Sequence, residues 1–325
     1  MSQSFPKFPR LVGDVGGTNC RLAIQQAPGE RASQIVTYPV ADYETFDAAI
    51  LAYLGRLQGP RPRQGAIGIA NPIVGDRVKM TNAPWTFSIE AVRRAVGFER
   101  FLVINDFTAL ALSLPDLAPE DVRQVGGGAA EADGPIGLVG AGTGLGVSGL
   151  LRVKETSRWL PLGGEGGHVS LAPATAREDA VVAVLRTRFG HASAERALSG
   201  SGLVNLYEAL CTIEGESPRA LEPATLSSEA LAGADPHCVE AVELFFALLG
   251  SVAGNLALTI GARGGMYIGG GIVPRFGDWI ERSAFRERFV AKGRFRGYLD
   301  GIPTFLVDAK SPPALIGAAR ALDEL

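Results

Sequence analysis

Two glycine-rich turns, each set between apolar runs, constrain this chain more than any other feature. The first is Gly13-Asp14-Val15-Gly16-Gly17-Thr18-Asn19, preceded by Leu11-Val12 and followed by Cys20-Arg21-Leu22-Ala23-Ile24. The second is Gly140-Ala141-Gly142-Thr143-Gly144-Leu145-Gly146, between Ile136-Gly137-Leu138-Val139 and Val147-Ser148-Gly149-Leu150-Leu151. Each reads as strand, glycine loop with a threonine, strand. Glycines at 13, 16 and 17 let the backbone take φ > 0 and approach a ligand closely. Successive backbone N–H groups in such a turn form a nest for anions. Asp14 adds one carboxylate, and a lone carboxylate beside phosphates points to Mg²⁺ between them. By itself the first loop reads equally as a plain hairpin with a glycine turn. Its recurrence in the second loop points to two related halves facing one ligand.

A chain of 325 residues holds two domains on the usual size scale. Its 46% apolar and 20% charged content fit a soluble globular protein. The 31 basic and 34 acidic residues give a net charge of −3, which calls for neither nucleic acid nor a membrane surface. Cys20, Cys211 and Cys238 are widely spaced without a CxxC, as expected in a reducing cytosol. Residues 1–10 lack the apolar core of a signal peptide. The most hydrophobic run, 244–260, is interrupted by Asn255 and preceded by Glu240 and Glu243, so it reads as a buried helix.

Strands are expected at 34–40, 66–70, 101–104, 266–268 and 304–307. Helices are expected at 43–57, with Phe46, Ile50, Leu51 and Leu54 on one face, near 88–96, and at 107–114, stopped by Pro115. Others fall at 177–189, 201–210 and in a long segment opened by Asp235-Pro236. A last one spans 313–322, capped by Ser311-Pro312. Residues 115–135 read as surface loop, with Gly126-Gly127-Gly128 its most flexible part, and Val169-Ser170-Leu171 as a strand start. Strands alternating with helices give an α/β class.

There is no Gly-x-x-x-x-Gly-Lys-Ser/Thr, no Gly-x-Ser-x-Gly and no His-Glu-x-x-His. A formal Gly-x-Gly-x-x-Gly at 144–149 runs into a strand pattern, whereas the dinucleotide fingerprint opens a helix. Three histidines and scattered cysteines offer no metal cluster. Asn105-Asp106 closes a buried strand, where open α/β sheets bind ligands. An Asp there can take a proton from a hydroxyl nucleophile; it can equally cap the helix at Phe107. Glu165 and His168 sit in Gly163-Gly164-Glu165-Gly166-Gly167-His168, where glycines let a loop wrap a small ligand, or where the loop is simply solvated. Glu195 stands just before Leu198-Ser199-Gly200-Ser201, a helix start.

Together these stretches resemble the sugar kinase/actin/Hsp70 superfamily: Gly13–Asn19 its first phosphate motif, Gly140–Gly146 its second, Gly269-Gly270-Gly271-Ile272 its adenosine motif. More narrowly the chain resembles the bacterial glucokinase family. Further matches are Thr81-Asn82…Trp85, Ile104-Asn105-Asp106-Phe107, residues 162–170, Leu198-Ser199-Gly200…Asn205-Leu206-Tyr207 and residues 268–274. The resemblance implies two ribonuclease-H-like (actin-like ATPase) α/β domains around a central cleft. The small one would be 1–113 plus 308–325, the large one 114–307. It implies that Asn105, Asp106, Glu165, His168 and Glu195 ring the sugar, with Asp106 as general base. It places ATP on Gly13, Asp14, Gly16, Gly17, Thr18, Asn19, Gly140, Gly142, Thr143, Gly144, Gly270 and Gly271, and Mg²⁺ near Asp14 through water. The zinc-site cysteines and helix-turn-helix of ROK repressors are absent, and Ser201 stands where many members have Pro. The expectation is a cytoplasmic, homodimeric kinase making glucose 6-phosphate from glucose and ATP, with no nucleic-acid or membrane partner. A kinase for mannose or fructose and a non-catalytic sugar sensor are the alternatives.

Overall fold

The computed structural model describes residues 7–309 and 312–325. The chain divides into two compact units. One comprises Met1–Ala118, Glu155–Pro161 and Ala309–Leu325, the other Pro119–Lys154 and Leu162–Asp308.

In the first unit the glycine hairpin is β1 (Arg10–Val15) with β2 (Asn19–Gln25), paired antiparallel. Strands β3 (Ser33–Pro39), β4 (Gln64–Ile69) and β7 (Arg100–Asn105) complete a sheet of order β3-β2-β1-β4-β7. β1, β4 and β7 run parallel, and β4 is buried at every position, as a parallel strand covered on both faces must be. A separate small hairpin joins β5 (Arg77–Lys79) and β6 (Thr86–Ser88). Helices α1 (Phe46–Arg56), α2 (Ile89–Val96) and α3 (Asp106–Ser113) follow in the chain. The core gathers Phe46, Tyr53, Trp85, Phe98 and Phe101 around the sheet's apolar face.

The second unit repeats this pattern. β9 (Ile136–Ala141) and β10 (Leu145–Val153) form the second glycine hairpin, and β9 pairs parallel with β12 (Gly265–Gly269), which pairs parallel with β13 (Thr304–Val307). With β8 (Val122–Gly126) the sheet order within this unit is β10-β9-β12-β13-β8, while β11 (Arg158–Leu162) belongs mostly to the first unit. Its helices are α4 (Ala176–Phe189), α5 (Gly200–Glu214), α6 (Pro223–Ala232), α7 (Pro236–Ile260), α8 (Trp279–Arg282), α9 (Phe285–Val290) and α10 (Arg296–Asp300). Asp235 caps α7 through the His237 and Cys238 amides, and Pro236 sits at its first turn. α7 is long and apolar enough to cross a membrane, but most of it is buried in its own unit, as the central element of that core.

The last helix, α11 (Pro313–Glu324), returns to the first unit. Arg10, buried in β1, donates to both carboxylate oxygens of Asp323 at 2.6 and 2.8 Å. Arg100 donates to the Leu322 carbonyl at 2.7 Å. Beside α3, α11 approaches so closely that a Cβ on Gly317 would overlap the Ala109 carbonyl.

Several expectations change. Leu51 is off the buried face of α1, where Ala49 and Tyr53 join Phe46, Ile50 and Leu54. The stretch 115–135 contains β8, which zips antiparallel onto β13. Gly127 there is not slack: at φ +88 it lies against the Ile302 carbonyl, and the Gln124 amide donates to the carbonyls of 126, 127 and 128. No strand starts at Val169; a 3-10 turn, Gly166–His168, is followed by a single bridge from Ser170 to Ser193. α3 ends at Ser113 and Pro115 lies inside a further 3-10 turn, Leu114–Asp116. Helices α6, α8, α9 and α10 have too short or too irregular an apolar period to be read from sequence. Ser311 lies outside the described residues, and Pro312 gives α11 no side-chain cap.

Candidate functional site

The first unit gathers its polar residues at the carboxyl ends of three adjacent parallel strands. Register sets Asp14 of β1 opposite Gly68 of β4, and Ile69 of β4 opposite Asn105 of β7. Asn105 is the N-cap of α3: its Oδ1 accepts from the Phe107 and Thr108 amides at 2.9 and 3.1 Å. Asp106 is therefore not needed as the cap. Its Oδ1 accepts the Phe107 N–H at 2.8 Å. Burial, reinforced by the nearby Asp14 charge, pushes the Asp106 carboxyl up to about 6. Asp14 is also raised by burial, an effect partly offset by Arg21, whose Nη1 donates at 3.2 Å. Two neighbouring, partly dehydrated carboxylates thus stand together, and Arg21 pairs with Asp14.

The first glycine loop needs its glycines for space and not for handedness: Gly13, Gly16 and Gly17 all lack positive φ, contrary to expectation. A Cβ on Gly13 would stand 2.5 Å from the Ile67 side chain, and one on Gly17 2.6 Å from the Asn82 carbonyl. Gly16 faces open space, with only the Asn19 carbonyl 4.0 Å away, and the turn closes through a Gly16 N–H to Asn19 carbonyl bond of 2.9 Å. Thr18 is tied by its carbonyl to the Val40 N–H.

One contributor was missed. Asn71 lies two residues past the end of β4, beside Asn105 at the end of β7; its Oδ1 accepts from both the N–H and hydroxyl of Thr81 at 3.0 Å, and its carbonyl accepts from Asn105 Nδ2 at 3.4 Å. The signal was in the sequence: a buried asparagine at the end of an apolar strand, next to the strand carrying Asn105.

The second unit holds the other candidates. Gly140 lies within β9, and Gly142, Thr143 and Gly144 form the turn. Gly142 has nothing near its missing side chain. Gly270, at φ +84, is packed against the Ala141 carbonyl, which also accepts from the Ile272 N–H at 3.3 Å, while Gly271 is open. The loop after β12 is thereby joined to the second glycine loop. Gly166 and Gly167 sit against Val147 and Leu145 of β10, and Gly163 and Gly164 are open. Pairing of 169–171 with 192–194 brings His168 between two carboxylates, with Glu165 Oε2 and Glu195 Oε1 each 4.0 Å from a ring nitrogen. Glu195 Oε2 also accepts the Leu145 N–H at 2.9 Å.

Two groups of potential metal ligands that spacing did not suggest also come together around the start of α7: Glu214, Glu216 and His237, and Glu229, Asp235 and Cys238. Arginines already occupy them. Arg177 pairs with Glu214, and Arg219 with Glu229 and Asp235.

The family model described as Glucokinase matches residues 11–325. The glucokinase of Chromobacterium violaceum is 52% identical over 99% of this chain and 92% of its own length. A glucokinase structure from an Antarctic psychrotroph is 35% identical with a TM-score of 0.91, covering 98% of this chain and 99% of that one. A ROK family glucokinase from Streptomyces griseus, solved with glucose and AMPPNP, is 18% identical with a TM-score of 0.61 over 97% of this chain and 99% of that one, a likeness of fold. The paired sheets and their glycine hairpins are thus those of the two-domain sugar kinases. Within that class, the chain belongs to the glucokinase family.

Proposed function

We propose that the protein is a glucokinase, transferring the γ-phosphoryl group of ATP to the 6-hydroxyl of glucose. The observation that carries the reading is Asp106: a dehydrated carboxylate at a strand's carboxyl end, relieved of capping by Asn105. With its proton affinity raised to about 6 it is ionised at neutral pH yet basic enough to accept a hydroxyl proton. The 6-oxygen, losing its proton to Asp106, attacks the γ-phosphorus in line as the bond to the β,γ-bridging oxygen breaks and ADP leaves. Asn105, Glu165, His168 and Glu195 take the other sugar hydroxyls. The open faces of Gly16, Gly142 and Gly271 receive phosphate and nucleotide, with Thr18 and Thr143 beside them.

Asp14 suits Mg²⁺ held through water, and a divalent cation beside it would relieve its repulsion of the Asp106 carboxylate. When bound, Mg²⁺ neutralises charge developing on the phosphates. The same family reading extends to a cytoplasmic homodimer, checked by light scattering of the purified protein. A coupled ADP-release assay over glucose, mannose and fructose tests the function. Strong turnover on glucose supports it; a higher kcat/KM on another hexose, or none on any, overturns it.

A further inference from the structure

Glu195 faces two ways. Its Oε1 is turned toward His168 at 4.0 Å, and its Oε2 accepts the N–H of Leu145, the residue that leaves the second glycine loop, at 2.9 Å. The loop has been shaped to receive it. Gly144 does not need positive φ, yet a Cβ there would stand 2.5 Å from Glu195 Oε2. The space a side chain would fill is the space the carboxylate occupies. A second stitch runs alongside, from the Gly200 N–H to the Gly142 carbonyl at 2.9 Å. The turn bearing Glu195 is itself fixed, because Ser199 Oγ donates to the Glu195 carbonyl at 2.9 Å while capping α5 through the Gly202 amide. A carboxylate next to a loop meant for phosphates repels them, so its presence there, bonded to the loop backbone, asks for an explanation.

We propose that Glu195 is a positioning residue for the second glycine loop, holding it in its nucleotide-binding shape before any sugar arrives. One carboxylate then serves both substrates, one oxygen for each. The inference rests on the reading that residues 142–144 hold phosphate and that Glu195 takes a sugar hydroxyl.

The test is calorimetric titration of glucose-free protein with AMPPNP and Mg²⁺, which no sugar contact can influence. Glu195→Ala removes the acceptor and should weaken AMPPNP about five- to fiftyfold, the range for a partly exposed bond to a charged group. Glu195→Gln keeps an oxygen for the Leu145 N–H and should bind within about threefold of the parent. Gly144→Ala, which keeps every sugar residue in the chain but crowds Glu195 Oε2 away from the Leu145 N–H, should resemble Glu195→Ala. The same ranking is expected in KM for ATP at saturating glucose, with melting temperatures confirming folded variants. AMPPNP binding by Glu195→Ala within twofold of the parent overturns the proposal. Weakened AMPPNP with unchanged glucose affinity leaves the strut standing and removes Glu195 from the sugar site.

Discussion

Asp106 does its work through its surroundings. Its proton affinity is raised chiefly by burial, so the folded protein binds a proton there more tightly than the unfolded chain, whose ordinary value is 3.8. Its stabilising contribution is therefore complete below about pH 4 and is lost as pH rises through about 6. Above that pH the fold carries a dehydrated charge. Asp106→Asn keeps shape and an acceptor oxygen but cannot ionise or take a proton. It should lower kcat by about 10²–10⁴-fold while glucose binds within about tenfold. It should also melt about 2–4 °C higher than the parent at pH 7.5, a gap that closes toward pH 4. A residue serving only as a cap predicts near-normal kcat instead, since Asn and Asp cap equally well. For the parent, kcat/KM should rise with pH through an acid limb near 6. Of these residues, the sequence made Asn105, Asp106 and the glycine loops visible by strand ends and turn chemistry. It did not reveal that Asn105 takes the cap and frees Asp106, because both rank alike in that role. Asn71 could be read from its place after an apolar strand, but its tie to Thr81 could not, because Thr81 comes from a separate hairpin.

At the scale of elements, α3 carries Asp106 at its first residue and is held on two sides. Beneath it, a Cβ on Gly68 of β4 would stand 3.0 Å from that of Ala109. Beside it runs α11, with Gly317 against the Ala109 backbone. α11 cannot retreat, because Arg10, Arg100 and Arg158 bind its last turns, its own Arg320 pairs with Asp116, and Glu324 accepts the Trp159 N–H at 3.0 Å. A methyl group at 317 must therefore displace α3. Overpacking of this kind typically costs about 1–3 kcal/mol. Gly317→Ala should lose that much in denaturant unfolding and should lower kcat more than it raises KM for ATP; an unchanged midpoint would mean α3 is not fixed by this contact. The apolar periodicity announced both helices. It could not announce their closeness, because a glycine in a helix lowers the local signal while permitting the tightest packing. The short helices of 273–300 were hidden for a related reason: each buries one or two large residues, such as Trp279, Phe285 and Phe289, without completing a period.

At the scale of the whole molecule, the residues assigned to glucose are drawn from both compact units. Asn105 and Asp106 belong to the first, and Glu165, His168 and Glu195 to the second. The duplicated strand order was foreshadowed by the repeated glycine hairpin, but this division of the sugar ligands is a consequence of the assignment that can be measured. A ligand that binds only the folded state stabilises it by about 2.7 kcal/mol at a hundred times its dissociation constant. Amide exchange through local opening slows wherever the ligand's contacts must break first. Saturating glucose should therefore protect amides in two separate segments groups: around 105–108 at the start of α3, and around 165–169 together with 194–197. AMPPNP added without sugar should protect the glycine loops at 13–19, 140–146 and 269–272 instead. Peptide-level hydrogen exchange with each ligand alone reads both patterns in one experiment. Protection by glucose confined to one unit would remove the other unit's residues from the sugar set. Protection of both, with the same concentration of mannose or fructose giving markedly less, assigns the sugar contacts and the hexose preference together.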